Sequence, residues 1–265
     1  MAVDEAILET ILAGDSPATL RLYAWQPACL SLGYAQPHTD VDQQALDERG
    51  WDIVRRPTGG RAILHGDELT YAVIGSEQDP RLAGGVLESY CNLSRALLEA
   101  LHLLGISAQA LEKPALQTDS IENPSAPAKA SGQNPVCFET PSNYEITHAG
   151  KKIVGSAQAR RKQGVLQHGA LLLYGDLTRI TQVLHFRDET ARQRANARLV
   201  ERATTAELAA GRRITWEEAA DAYIRAFQLA LNLDFEVGDL SAEEKARAET
   251  LLAEKYSHPT WIERV

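Results

Sequence analysis

Three short segments hold residues whose types and spacing suit chemistry. The first is Arg55-Arg56-Pro57-Thr58-Gly59-Gly60-Arg61, continued by Ala62-Ile63-Leu64-His65. Paired glycines let a backbone approach a ligand and turn its N–H groups toward oxygens. The same residues also suit a tight hairpin with exposed arginines. The second is Cys137, placed directly after a proline-rich stretch. A thiol at such a junction suits a nucleophile, and equally a half-buried structural cysteine. Cys29 and Cys91 sit in apolar strand and helix patterns and read as inert core thiols. The third is Gly150-Lys151-Lys152-Ile153-Val154-Gly155-Ser156-Ala157-Gln158, running on to Arg160 and Arg161. On a strand Lys151 and Lys152 face opposite ways, so only one enters a given pocket. Gly155, Ser156 and Ala157 offer small side chains against which a chain-like ligand can lie. A solvated charged edge is the alternative. His65 and His168, taken singly, read as structural.

These segments need elements to position them. Val3, Ile7, Leu8, Ile11 and Leu12 share one helical face, and Gly14 ends that helix. Residues 20–25 alternate as a half-buried strand, and residues 29–34 form a second strand after Pro27. A polar helix at about 40–49 leads to a strand at 51–56, the glycine turn, and one further strand ending near Ile74. Residues 86–104 form a long helix burying Val86, Tyr90, Leu93, Leu97, Leu101 and Leu104. Residues 112–136 carry Pro114, Pro124, Pro127 and Pro135 with almost no large apolar side chain. This stretch is expected to be a mobile loop, of a length that is usually functional or disordered. Strands follow at 144–148 and 151–155, turning at Ala149-Gly150, and then at 165–174. The remainder is mainly helical, with Trp216, Ala219, Tyr223, Phe227 and Leu231 marking one amphipathic helix and residues 241–256 another. The fold class is α+β, a mixed sheet flanked by helices in a single domain over 1–265.

Composition narrows the function. Acidic residues number 36 against 27 basic ones, a formal charge of −9 that disfavours nucleic acid and anionic lipid as partners. No segment reaches the ~20 apolar residues of a membrane span. Asp4, Glu5 and Glu9 are wrong for a signal peptide. Three cysteines without paired spacing make neither a disulfide framework nor a cysteine-rich metal site, which suits a reducing, cytoplasmic setting.

The segments occur in an order that resembles the biotin/lipoate protein ligase superfamily, and within it most closely the LipM-type octanoyltransferases. The residues that carry the resemblance are Arg55 to Gly60, Pro135-Val136-Cys137-Phe138, Gly150 to Gln158 and Gln167-His168-Gly169. The opening Met1 to Ala6, the Leu30-Ser31-Leu32-Gly33-Tyr34 strand and the Lys255-Tyr256-Ser257 to Trp261 ending are similar too. The resemblance implies a catalytic-domain fold related to biotin ligases and class II aminoacyl-tRNA synthetases. It implies that the arginine-glycine turn and the lysine strand wall a tunnel for a medium-length acyl chain. Cys137 matches the position of an acyl-enzyme cysteine, and Lys152 the family's pocket lysine. Lys152 would favour the thiolate, polarise the acyl carbonyl or accept a proton. Arg55, Arg56, Thr58, Gly59, Gly60, His65, Gly155, Ser156, Ala157 and His168 are the implied substrate-binding residues. Backbone N–H groups near Gly59, Gly60 and Ser156 are candidates to stabilise the carbonyl.

The implied activity moves octanoyl from acyl carrier protein to a lysine of a lipoyl domain, such as glycine cleavage H protein or a 2-oxoacid dehydrogenase E2. It needs no cofactor and no metal. The alternatives are an ATP-dependent lipoate–protein ligase and an amidotransferase between lipoyl domains. Two departures from the ligase pattern favour the transferase. Arg61 follows Gly60 and Gly66-Asp67-Glu68 follows His65, where ligases carry a small residue and a His-Asp-x-Gly-Asn run. Tyr144-Glu145 stands where ligases carry Asn-Asp. The cationic run Arg160-Arg161-Lys162 is expected to help an acidic carrier dock.

Overall fold

The computed structural model describes residues 1–112 and 144–265. Cys137 and nearly all of the expected loop at 112–136 lie outside these residues. The chain opens with α1 (Ala2–Ala13), which Gly14 terminates at φ 87°, a conformation that favours glycine. Strands β1 (Thr19–Tyr23) and β2 (Cys29–Leu32) follow, then helix α2 (Gln43–Glu48). The Asp42 carboxylate accepts the Ala45 N–H at 3.0 Å and sets the start of α2, which is shorter than expected. Next come β3 (Asp52–Arg55), β4 (Ile63–His65) and β5 (Glu68–Ser76). The single strand expected up to Ile74 is thus two strands, broken at Gly66-Asp67, and they belong to different sheets.

Helix α3 (Val86–Leu103) and β6 (Gln109–Glu112) close the first part of the chain. Val86, expected on the buried side, is exposed in the first turn of α3, and burial begins at Ser89 and Leu93. The second part holds β7 (Tyr144–His148), β8 (Lys151–Arg161) and β9 (Gly164–Leu172). β8 runs six residues past the expected end at Gly155, because it stays paired to β9 as far as Arg161. The helices are α4 (Glu189–Arg202), α5 (Ala206–Ala210), α6 (Trp216–Leu231), α7 (Ala242–Leu251) and α8 (Pro259–Ile262), with a π turn at Leu252–Tyr256.

Six strands form an antiparallel sheet in the order β1-β5-β9-β8-β7-β6, and three form a small sheet in the order β3-β2-β4. The mixed pairing lies in the small sheet, where β2 runs parallel to β3 and antiparallel to β4. Helices α3 and α6 cover one face of the large sheet. There Leu93, Leu97, Tyr223 and Phe227 meet Leu69, Tyr71, Val154 and Leu171 in the main core. On the opposite face α1 covers only part, with Ile7 against Ala72, Ile74 and Leu166. The small sheet sits over the rest of that face.

The hairpin joining β7 to β8 sets which way the paired lysines point. Ala149 at φ 48° and Gly150 at φ 78° make a two-residue turn with both residues left-handed, matching the twist of the strands. The turn pairs His148 with Lys151 and Thr147 with Lys152. The register then slips by one, so that Ile146 faces Val154. Ile153 and Val154 are consecutive residues, yet both are buried in the α3/α6 core. A regular strand would turn one of them away, and the bulge lets both bury their side chains on one side.

Candidate active site

A cavity of about 450 Å³ lies between the turn at residues 56–61 and the uncovered face of the large sheet. Its floor exists because of small residues in register. Gly155 lies beside Ala170 on β9, and Ala170 beside Thr70 on β5. The next row places Ala157 beside His168. A volume of this order suits a small-molecule ligand or an acyl chain. Arg56, Gly59, Gly60 and His65 line the cavity from the small-sheet side. Lys152, Gly155, Ser156, Ala157 and His168 line it from the large sheet. Two regions separated by some ninety residues in sequence therefore line one cavity.

Lys152 is 5% exposed and its Nζ lies 3.2 Å from Glu145 Oε1. The preceding Lys151 turns outward and donates from Nζ to the Val200 carbonyl at 2.7 Å. The lysine pair is therefore split between pocket and surface. Glu145, noted in the sequence only as a departure from the ligase pattern and not as a site residue, supplies the counter-charge. The two-residue turn would have revealed it, because pairing Thr147 with Lys152 leaves Glu145 on the same face, two residues on.

The glycine turn is held from below. Arg56 donates from Nη2 to the Arg61 carbonyl at 2.8 Å and to that of Gly59 at 3.3 Å. Gly60 has φ 96°, and its carbonyl presses so closely on Gly33 that a Cβ there would stand 1.8 Å from the oxygen. Both glycines are thus fixed by backbone contact. Arg55 does not line the cavity. Its fully buried guanidinium spends its donors on carbonyls, Gly33 at 2.8 Å, Gln36 at 2.6 Å and Ile262 at 2.6 Å, and so ties down the C-terminal end of α8. Alternation along β3 sends Arg55 and Arg56 to opposite sides.

Thr58 also stays behind the wall, with its Oγ1 2.7 Å from His168 Nε2. Burial, chiefly, holds the His168 imidazole neutral, with its pKa lowered to about 3, although nearby Asp4 pulls the other way. The Ser156 hydroxyl pairs with Tyr71 Oη at 2.6 Å, which turns it toward the core side of the sheet. Burial pushes the Cys29 thiol up to about 12, in keeping with an inert core cysteine. Sequence reasoning missed Arg61, Ile63, Thr70, Gln158 and Ala170, which also line the cavity. Thr70 and Ala170 had no local signal, since they reach the site only through strand pairing. Among the described residues, no three His, Cys, Asp or Glu side chains gather to hold a metal ion.

The fold, a sheet flanked by helices, is that of lipoate–protein ligase catalytic domains. A bipartite lipoate protein ligase from Thermoplasma acidophilum, studied with its E2 lipoyl domain, superposes with a TM-score of 0.79 at 26% identity, over 99% of this chain and 89% of that one. A lipoate-protein ligase A bound with ATP superposes with a TM-score of 0.74 at 26% identity, over 99% and 92%. Residues 1–228 match the family model of the lipoyl protein ligase A/B catalytic domain, and the chain belongs to that family. Its curated relatives include octanoyltransferase LipM of Kyrpidia tusciae, 41% identical over 98% of this chain and 92% of the relative. Octanoyltransferase LipM of Carboxydothermus hydrogenoformans is 37% identical over 100% and 93%.

Proposed function

We propose that the chain is an octanoyltransferase of lipoate biosynthesis, an octanoyl-[acyl-carrier-protein]:protein N-octanoyltransferase of the cytoplasm. The observation that carries this reading is the trough of Gly155, Ala157 and Ala170 ending at buried Lys152, in a chain that aligns end to end with octanoyltransferases LipM. The trough takes the octanoyl chain, with its carbonyl at the Lys152 end. Cys137 is the nucleophile. Its Sγ bonds to the acyl carbon as the carrier's thioester C–S bond breaks, and the proton from Cys137 goes to the departing carrier thiolate. One thioester replaces another, so this step is nearly isoenergetic.

In the second step a lysine amine of a lipoyl domain attacks the acyl-cysteine. A C–N bond forms, the C–Sγ bond breaks, and an amine proton returns to Sγ. An amide replaces a thioester, which is downhill, and no ATP is consumed. Lys152, paired with Glu145, places positive charge where the carbonyl oxygen gathers negative charge in both steps. Backbone N–H groups of the glycine turn assist from the facing wall. H protein and 2-oxoacid dehydrogenase E2 lipoyl domains are the acceptors. The T. acidophilum ligase, whose described partner is an E2 lipoyl domain, supports that class of acceptor.

A second reading, an ATP-dependent lipoate–protein ligase, is favoured by the likeness to an ATP-bound ligase. Intact-mass spectrometry after incubation with octanoyl-acyl carrier protein, without ATP, separates the two. The transferase gains one octanoyl group at Cys137, and Cys137→Ser gains none that turns over. A ligase ignores that donor, uses free acid plus ATP, and works at full rate as Cys137→Ser.

A further inference from the structure

We propose that Glu68 is the positioning residue that fixes the glycine turn of the acyl pocket, acting through His65, Ser31 and Arg56 in succession. Glu68 Oε1 lies 2.5 Å from His65 Nδ1, and His65 Nε2 lies 2.6 Å from Ser31 Oγ. Ser31 Oγ lies 2.6 Å from Arg56 Nη1, and Arg56 Nη2 reaches the carbonyls of Gly59 and Arg61. All four residues are at most 3% exposed. The relay therefore crosses the small sheet and ends on the backbone that walls the cavity.

The proton inventory gives the relay a direction. A guanidinium only donates, so Ser31 Oγ accepts from Arg56. The single Ser31 hydroxyl proton then has two acceptors in reach, His65 Nε2 at 2.6 Å and the Ile63 carbonyl at 3.5 Å. The shorter contact takes it, which makes Nε2 the acceptor and Nδ1 the protonated nitrogen. Nδ1–H then donates to Glu68. Thr70 also donates its hydroxyl to Glu68, and in turn accepts from Trp25 Nε1 at 2.9 Å. Trp25 stacks on the His65 ring at 4.5 Å and 17°. Each hydrogen in the relay has one destination, and a buried carboxylate is joined to a buried guanidinium across two neutral groups.

His65 lines the cavity, yet both of its nitrogens are engaged, so it offers substrate a ring edge and neither an acid nor a base. Glu68 touches no substrate, but without it Nδ1–H and the Thr70 hydroxyl are buried donors with nothing to accept them, which is costly. The relay then loses its single arrangement, and with it the brace on Gly59 and Arg61.

The test uses Glu68→Ala, Glu68→Gln and Ser31→Ala in the full chain, with three readouts. Imidazole ¹⁵N shifts report the His65 tautomer, hydrogen exchange of the Tyr34 amide, which donates to the Thr58 carbonyl of the turn at 2.9 Å, reports the brace, and steady-state kinetics report octanoyl transfer. Glu68→Ala is expected to lose the pure Nδ1–H tautomer and speed exchange of the Tyr34 amide at least tenfold, with β5 and β9 amides unchanged. It should raise KM for the acyl donor more than it lowers kcat. Glu68→Gln, whose amide oxygen still accepts, should restore all three. Should Glu68→Ala not fold, Ser31→Ala, cut in mid-relay, must show the same local loosening. The proposal is overturned if exchange of the Tyr34 amide and the tautomer do not change, or if protection falls equally through the whole chain. Only the kinetic arm rests on octanoyl transfer. If that activity is wrong, the exchange and tautomer results still decide the relay.

Discussion

Lys152 and Glu145 face one another across the β7–β8 hairpin, Nζ to Oε1 at 3.2 Å, on the face of the sheet that holds the cavity. They meet because the turn pairs Thr147 with Lys152, which leaves Glu145 two residues further along β7 on the same face. Both side chains are largely withdrawn from water, at 6% and 12% exposed, so the pair is not an ordinary surface ion pair. The arrangement gives opposite outcomes for adjacent lysines. Lys152→Ala should lower octanoyl transfer by about 100-fold or more, the scale of losing a group that stabilises developing charge. Lys151→Ala removes an exposed contact to Val200 and should cost less than ~0.5 kcal/mol of stability, with near-normal turnover. Single-turnover acylation and deacylation rates check both. A dead Lys151→Ala beside a normal Lys152→Ala would refute the assignment.

Acid should weaken the fold through His168. Its pKa is lowered to about 3 by burial, whereas an unfolded histidine titrates near 6.5. Between those values the unfolded chain binds a proton that the folded chain does not. Stability is therefore full above about pH 6.5 and falls as pH drops toward 3, by up to ~1.4 kcal/mol per pH unit for this group. Asp4 opposes this lowering, while Arg56 and the chain's amino group add to it. Asp4, itself held below the usual carboxylate range by the chain's amino group and Arg21, adds to the acid loss at lower pH. Urea melts from pH 8 to pH 4 should show a shallower slope for His168→Asn than for the unchanged chain. Equal slopes would mean that His168 is protonated in the folded state.

The cationic run after the pocket strand divides by role. Arg160 donates from Nη2 to the Leu82 carbonyl at 2.7 Å and to Ser89 Oγ at 2.9 Å, so it braces α3 against β8. Arg161 and Lys162 are exposed. Arg161→Glu with Lys162→Glu should slow association with an acidic carrier protein by about tenfold at low salt, a gap that closes as salt rises. Transfer from a small acyl-thioester should be unchanged. Stopped-flow association across a salt series tests this, and an equal loss with the small donor would assign the run to the pocket or the fold.

Arg55→Ala should unfold the chain more easily, and Arg55→Lys should not rescue it. The guanidinium joins Gly33 and Gln36 to the Ile262 carbonyl, and the Arg55 carbonyl in turn accepts the Trp261 indole N–H at 3.0 Å. One ammonium cannot span those directions. Each lost charged hydrogen bond is worth about 1.5–3 kcal/mol, so a fall of several degrees in melting temperature is expected. Calorimetry of both variants gives the answer, and an Arg55→Lys variant as stable as the original would show that charge alone suffices.

Much of this protein was legible in its residues. The α1 stripe with Gly14, the α6 stripe from Trp216 to Leu231 and the Ala149-Gly150 turn are local patterns, written within one element, and each appears where its spacing put it. That the arginine-glycine turn and the lysine strand would wall one pocket was implied by the family resemblance, since neither local pattern points to the other. Other features arise only from contacts between distant residues. Strict alternation counted back from Gly155 would place Lys151, not Lys152, on the cavity face. The bulge that reverses this exists because Ile153 and Val154 both bury their side chains against α3 and α6. Adjacent Arg55 and Arg56 look equivalent in sequence, yet one anchors the C-terminal end of α8 and the other the pocket turn. Glu68 resembled a polar residue after a turn, and only the pairing of β4 with β2 brings His65 and Ser31 into line with it. Local sequence sets periodicity and turns, whereas the phase of a strand and the partner of a buried charge are settled by what packs against them.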